Sequence, residues 1–162
     1  MAVRCTADAL PVASGVVDVA LCTEVLEHVP DPGRAVIELG RILKPGGVAV
    51  VTTPFLYPLH EEPWDFQRLT RYQIERTARQ AGLVVERLEA GGNEIEVLAT
   101  LWDRLWSNTL PAPRGMAATG ALAMLRAVGN VAAAPLAAVI GRRLPKQAYL
   151  CNLALLRAGG RP

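Results

Sequence analysis

The chain has 162 residues, 51% of them hydrophobic and 20% charged, so one domain with a buried core is expected and much apolar surface must be hidden. The net charge of +2 comes from scattered arginines rather than a basic run, so no nucleic-acid partner is expected from composition. Cys5, Cys22 and Cys151 are too few and too scattered for a disulfide framework or a C-x-x-C zinc site. Reduced, buried thiols in a cytoplasmic protein are the expectation, and Met1–Asp8 lacks the apolar stretch of a signal peptide.

After a Ser14-Gly15 turn, Val17–Cys22 reads as a strand buried on both faces. Asp31 suits a helix N-cap and Pro32 the first helical position. Ala35, Val36, Leu39, Ile42 and Leu43 then fall on one helical stripe, which Lys44-Pro45-Gly46-Gly47 ends. Val48–Thr53 is a second β-branched run, and two such strands joined by one helix form a right-handed βαβ unit. Beyond a loop rich in Pro, His and aromatic residues, Thr70-x-x-Gln73 is a capping box. Ile74, Thr77, Ala78 and Ala81 continue a helix that stops at Gly82, and Leu83–Leu88 is a third strand.

Residues 91–146 are mostly helical by composition, with a break at Pro111-Ala112-Pro113. Within them Leu98, Leu101, Trp102, Leu105 and Trp106 mark a helical stripe expected to pack in a core or lid. Met116–Gly141 is the most membrane-like stretch, but Arg126, Asn130 and Pro135 interrupt it, so a buried or interfacial helix is expected. Ala148–Leu156 is the last strand.

Glu24-x-x-Glu27-His28 carries the densest chemistry. On a helical turn, positions i, i+3 and i+4 share a face, so two carboxylates and an imidazole would converge there. His60, in the loop after the second strand, would close such a site. Glu24, Glu27, His28 and His60 are therefore a candidate ligand set for Mg²⁺, Mn²⁺ or Zn²⁺, the alternative being helix-entry charges around a histidine without metal. The loop stretch His60-Glu61-Glu62-Pro63-Trp64-Asp65-Phe66-Gln67-Arg68 suits a general base and a stacking surface.

Three ordered motifs, Asp8-Ala9-Leu10-Pro11, Val17-Asp18-Val19 through Glu24-Val25-Leu26-Glu27-His28-Val29, and Leu43-Lys44-Pro45-Gly46-Gly47, resemble the class I S-adenosylmethionine-dependent methyltransferases, in the ubiquinone-biosynthesis-like branch. The resemblance covers roughly residues 5–90. It implies a Rossmann-like α/β sheet with strands corresponding to the fourth to seventh, the last antiparallel, and a helical insert or lid at 91–146, all within one partial domain, 1–162. The residues before Asp8 would end the third strand. The Gly-x-Gly-x-Gly turn of the family's first strand has no counterpart in this sequence, so the resemblance implies an N-terminally truncated domain, inactive as it stands.

By the same resemblance Asp8 and the Ala9 backbone N–H would meet the adenine, with Cys22 and Thr23 as a wall against the cofactor. A solvated turn for Asp8 and a core role for Cys22 remain the alternatives. His28 or His60 would take the acceptor's proton. The Glu-x-x-Glu-His spacing is similar to that of the metal-dependent ubiquinone-biosynthesis and small-RNA 2′-O-methyltransferases. The expected acceptor is a small or lipid-linked molecule, with peripheral membrane contact through the apolar insert. The rival reading is a non-catalytic, methyltransferase-like interaction or membrane-associated module.

Overall fold

The computed structural model describes residues 4–105 and 115–159. Four strands form one mixed sheet in the order β1-β2-β4-β3: β1 (Val17–Thr23), β2 (Leu43–Pro54), β3 (Leu83–Gly91) and β4 (Cys151–Ala158). β1 and β2 run parallel, and β2 pairs antiparallel with β4 from Val48↔Arg157 to Pro54↔Cys151. At β3 the bonds Gly159 N–H to Gly82 O and Leu150 N–H to Gly91 O run in opposite senses along the two strands, so β4 is antiparallel to β3 as well. The mixed α/β fold with an antiparallel last strand is the one the resemblance implied.

Two helices cover one face of this sheet. α1 (Pro32–Ile42) starts where the Asp31 carboxylate accepts from Arg34 N–H at 3.1 Å, with Pro32 in its first turn. α2 (Arg71–Gln80) starts where Thr70 Oγ1 accepts from Gln73 N–H at 3.2 Å. Val36 and Leu39 of α1, with Ile74 and Ala78 of α2, pack into one core with Ala20 and Cys22 of β1, Ala49 and Val51 of β2, and Ala154 and Leu156 of β4. The opposite face is open: Val19 is 58% and Leu21 73% exposed, so β1 is not covered on both sides as its run of apolar residues predicts. The reason is local, because α1 and α2 both pack on the other face.

Other boundaries differ from the sequence reading for backbone reasons. β2 begins at Leu43, not Val48, because Leu43 leaves the helix in extended conformation and pairs with Val17 across a bulge. The Lys-Pro-Gly-Gly stretch is therefore strand. Gly46 sits at φ 81°, where a side chain is strained, and a Cβ on Gly47 would lie 3.0 Å from the carbonyl oxygens of Lys44 and Val17, tighter than ordinary contact. Of the residues before Asp8, the described ones, 4–7, form no strand end; Thr6 bridges back to Ala9 in a turn. β3 continues to Gly91, and β4 starts at Cys151 instead of Ala148. Cys5 is exposed and Cys151 half-buried, so only Cys22 is the buried thiol expected of all three.

The chain forms two compact units, one of residues 1–55, 59–89 and 151–162, the other of residues 56–58 and 90–150. In the second, α3 (Glu94–Arg104) and α4 (Met116–Val139) pack together. The stripe expected to be core is largely exposed on α3, with Leu98 at 66%, because the helix turns Val97 inward and lays Trp102 against the Gly129 backbone. Trp106 and Pro111–Pro113 lie outside the described residues. α4 is not buried: Ala137 is its one buried residue among those described, since its helical partner α3 covers a single side.

Asn152 ties the loop after β2 to the sheet. Its amide, 1% exposed, donates to Leu69 O at 2.8 Å and Thr53 Oγ1 at 3.3 Å. Asn152→Ala should lower unfolding free energy by about 1–3 kcal/mol through the stranded Leu69 carbonyl. Urea denaturation checks this, and an unchanged midpoint would show that the loop does not need this anchor.

Candidate functional site

The site is built at the carboxyl ends of the two parallel strands, the edge at which ligands bind in open α/β sheets. β1 ends at Thr23, and Glu24 takes a left-handed conformation at φ 51°, which turns the chain into a single 3-10 turn, Leu26–His28. Leu26 is drawn into the core at 1% exposure, and Glu27 goes in beside it, also 1% exposed. His28 follows, half-buried. From β2 the chain runs into the 55–69 loop, which the turn holds down: Phe66 N–H donates to Glu27 O at 2.9 Å, and Gln67 Nε2 donates to Leu26 O at 3.0 Å and Val29 O at 2.6 Å.

This docking brings Glu27, His28 and His60 together, with one ligand atom of each within 4.8 Å of the others. His28 Nε2 lies 3.6 Å and His60 Nε2 3.8 Å from Glu27 Oε1. The imidazoles meet edge to face with centroids 5.0 Å apart. Glu24 does not join them, because its left-handed backbone removes it from the 3-10 turn; the shared helical face read from Glu24-x-x-Glu27-His28 is not formed.

Both rings have their orientation set from behind. His28 Nδ1 is 2.8 Å from the Trp64 carbonyl, which can only accept, so Nδ1 carries the proton and Nε2 is the unprotonated atom of the neutral ring. His60 Nδ1 lies 3.3 Å from Asp65 Oδ2, a carboxylate 1% exposed. Asp65 also accepts the His60 backbone N–H at 3.0 Å and is clamped by both terminal nitrogens of Arg68, Nη2 to Oδ2 at 2.7 Å. The guanidinium, aided by these hydrogen bonds, holds the Asp65 carboxyl well below the usual carboxylate range. Ionised Asp65 fixes the same tautomer on His60. Sequence reading placed Asp65 and Arg68 in the loop without a role; their i, i+3 spacing next to His60 was the available signal. Trp64 and Phe66 pack edge to face at 6.3 Å and are 65% and 47% exposed, an aromatic surface beside the site.

Glu27 is the anomaly. Neither carboxylate oxygen has a hydrogen-bond partner. Burial pushes its pKa up and Glu24 adds to the rise, while its own nearby backbone N–H and the two imidazoles oppose it. A buried carboxylate facing two Nε2 atoms, with the other ring nitrogen of His28 on the Trp64 carbonyl and that of His60 beside the Asp65 carboxylate, is a set that could hold a metal ion. Two imidazoles and one carboxylate fit Zn²⁺, Mn²⁺ or Fe²⁺ better than Mg²⁺, which prefers oxygen.

Of the residues expected at a cofactor, Cys22 lies in the core, its thiol pushed up to about 11 by burial and by Glu27. Thr23 is exposed at the end of β1. Asp8 and Ala9 stand in a turn whose next residue is clamped by α1: Leu10 N–H donates to Glu38 Oε2 at 3.0 Å, and Arg41 Nη2 donates to Leu10 O at 3.1 Å. Asp18 is bound by Lys44 at 2.9 Å, a tie between β1 and β2.

Residues 1–51 match the family model described as a methyltransferase domain. An uncharacterized methyltransferase of Mycobacterium sp. (strain JLS) is 50% identical over 50 residues, 31% of this chain and 20% of that protein. The ubiquinone biosynthesis O-methyltransferase of Thiobacillus denitrificans is 34% identical over 91 residues, 46% of this chain and 39% of its own length. The chain thus spans well under half of the curated relatives it matches. Among solved structures, the geranyl diphosphate C-methyltransferase of Streptomyces coelicolor, in complex with Mg²⁺, geranyl diphosphate and S-adenosyl-L-homocysteine, superposes with a TM-score of 0.53 at 16% identity, covering 95% of this chain and 50% of that one. The likeness is one of fold, a mixed α/β sheet shared with these structures.

Because the Glu27 pKa is raised in the fold, its contribution is most favourable below the unfolded value and is lost as pH rises through the folded one. In chelator, Glu27→Gln should therefore raise the melting temperature at about pH 7, with the gain shrinking toward about pH 4. A loss of stability at neutral pH would mean that the carboxylate is better satisfied than its surroundings indicate.

Proposed function

We propose that this chain is part of a class I S-adenosylmethionine-dependent methyltransferase whose acceptor is handled by Glu27, His28 and His60. The observation that carries the reading is the convergence of these three residues at the carboxyl ends of β1 and β2, on a sheet of the methyltransferase fold. The matched family model and relatives support methyl transfer as the reaction class.

In such a transfer the acceptor atom displaces the methyl group from the sulfonium in line, and catalysis is mostly proximity and orientation. His28 and His60, each with Nδ1 protonated, offer an unprotonated Nε2 that can take the acceptor's proton, and Glu27 faces the imidazolium so formed. A divalent ion held by Glu27, His28 and His60 would supply charge to orient acceptor oxygens. Asp8, the Ala9 N–H, Cys22 and Thr23 are the residues proposed to face the cofactor, Cys22 through its backbone and bulk rather than its raised thiol. The Trp64–Phe66 surface suits a flat or apolar acceptor.

A lipid-linked acceptor is favoured by the second compact unit, the proposed lid. A recess of about 800 Å³ between α3 and α4 has walls of Ala99, Ala133, Ala134 and Ala137 with Asn93 and Asp103 among its polar groups. Such an acceptor is reached at a membrane surface, so peripheral membrane contact from the cytoplasmic side goes with this reading.

The sequence has no Gly-x-Gly-x-Gly, the turn that exposes backbone to the cofactor, so the chain alone should bind S-adenosylmethionine only in the millimolar range or not at all. Calorimetry decides: micromolar affinity would show that the residues present suffice. The reaction is tested in a chimera carrying, ahead of residue 5, the segment of the Thiobacillus relative that precedes its matched region. Methyl transfer to hydroxylated prenyl-quinone precursors, reduced at least about 100-fold by His28→Ala or His60→Ala, is the expected result. Loss of rate on chelation, restored by Zn²⁺ or Mn²⁺, assigns the trio to a metal; a rate that survives chelation and falls as pH drops through the imidazole range assigns it to proton removal. Full activity in both alanine variants would remove the trio from the reaction.

A further inference from the structure

Three features of the second compact unit are unused by the transfer chemistry. α4 is 24 residues long, has a mean hydropathy of 1.6 over its most apolar window, and is one helix long and apolar enough to cross a membrane. Its side facing α3 carries polar ties beside its alanines: Arg126 Nε donates to Asp103 Oδ1 at 2.7 Å and Asn130 Nδ2 donates to the same oxygen at 3.1 Å. On the opposite side, Met124, Val128, Val131 and Val139 are spaced as one helical stripe and are 58–73% exposed.

Charge is divided along the sequence just as sharply. All 15 acidic residues lie at or before Asp103, and every charged side chain from Arg104 to Arg161 is a cation. The apolar stripe therefore sits in a stretch with no carboxylate, followed by Arg142, Arg143 and Lys146; Arg143 and Lys146 are exposed. An apolar helix face on a stretch of sequence that holds no acid and runs on into exposed cations matches a bilayer with anionic headgroups, whereas a protein partner would call for no such absence of acids.

We propose that α4 docks in the plane of an anionic membrane surface, with Met124, Val128, Val131 and Val139 in the acyl boundary and Arg143 and Lys146 on the headgroups. The helix lies on the membrane and does not cross it: crossing would carry Arg126, Asn130 and the attached Asp103 of α3 into hydrocarbon, where each charge is costly. This refines the peripheral contact of the preceding reading, but does not depend on methyl transfer.

The test is sedimentation of the chain with vesicles of phosphatidylcholine alone and of phosphatidylcholine with phosphatidylglycerol at about 3:1. Binding to the anionic vesicles, weak binding to neutral ones, release by alkaline carbonate and weakening by salt are expected. The pair Val128→Glu with Val131→Glu, and the pair Arg143→Glu with Lys146→Glu, should each lower the partition coefficient about tenfold or more. These side chains are exposed, and unchanged circular dichroism of the variants controls for folding. No binding to either vesicle, equal binding to both, resistance to carbonate, indifference to either variant pair, or self-association without vesicle binding would each overturn the proposal. A chain that transfers methyl groups yet stays in the supernatant would defeat this inference alone.

Discussion

A carboxylate taken out of water without a hydrogen bond is held in place by everything around it, and Glu27 is that group here. It is carried inward because its neighbour Leu26 fills the core and because Glu24 turns the chain left-handed at the end of β1. Apart from its own backbone N–H, what favours a charge there is what stands opposite it. Two imidazoles are placed opposite it, His28 from the turn itself and His60 from the loop after β2, which is bound to the same turn by Gln67 and Phe66. A buried charge of this kind costs stability on its own and becomes favourable when a cation, a proton or an ion completes it.

The loop's sequence makes sense in that light. Arg68 fixes Asp65, Asp65 fixes His60, the Trp64 carbonyl fixes His28, and Thr70 starts the helix on which the loop ends. Asn152 reaches from β4 to the loop's last turn, so the strand inserted beside β2 also supports the site. Sheet order and site geometry are thereby one construction: the antiparallel β4 closes the core under the loop that carries His60.

Much of the sheet was legible because its signals are local. The Asp31-Pro32 start, the Thr70 cap and the β-branched runs each act within a few residues, and the structure places helices and strands on them. The strand start at Leu43 was not legible, since pairing with Val17 across a bulge depends on a partner 26 residues away. The same limit applies to the site. Residue types at Glu27, His28 and His60 were readable, but the exclusion of Glu24 follows from one backbone dihedral, and the support from Asp65 and Arg68 from how a loop folds back on itself. In α4 the apolar run was readable but its exposure was not, because burial depends on what lies beside a helix rather than on what it contains.

The 60–68 loop presets both histidines, each protonated at Nδ1, with Nε2 toward Glu27. Long-range proton–nitrogen correlation spectra of the imidazoles, recorded on metal-free protein at neutral pH, test it most directly. Nδ1-protonated rings at both His28 and His60, with His60 losing that single tautomer in Asp65→Asn while His28 keeps it, is the predicted result. A proton on Nε2 of either ring in the parent protein would contradict it.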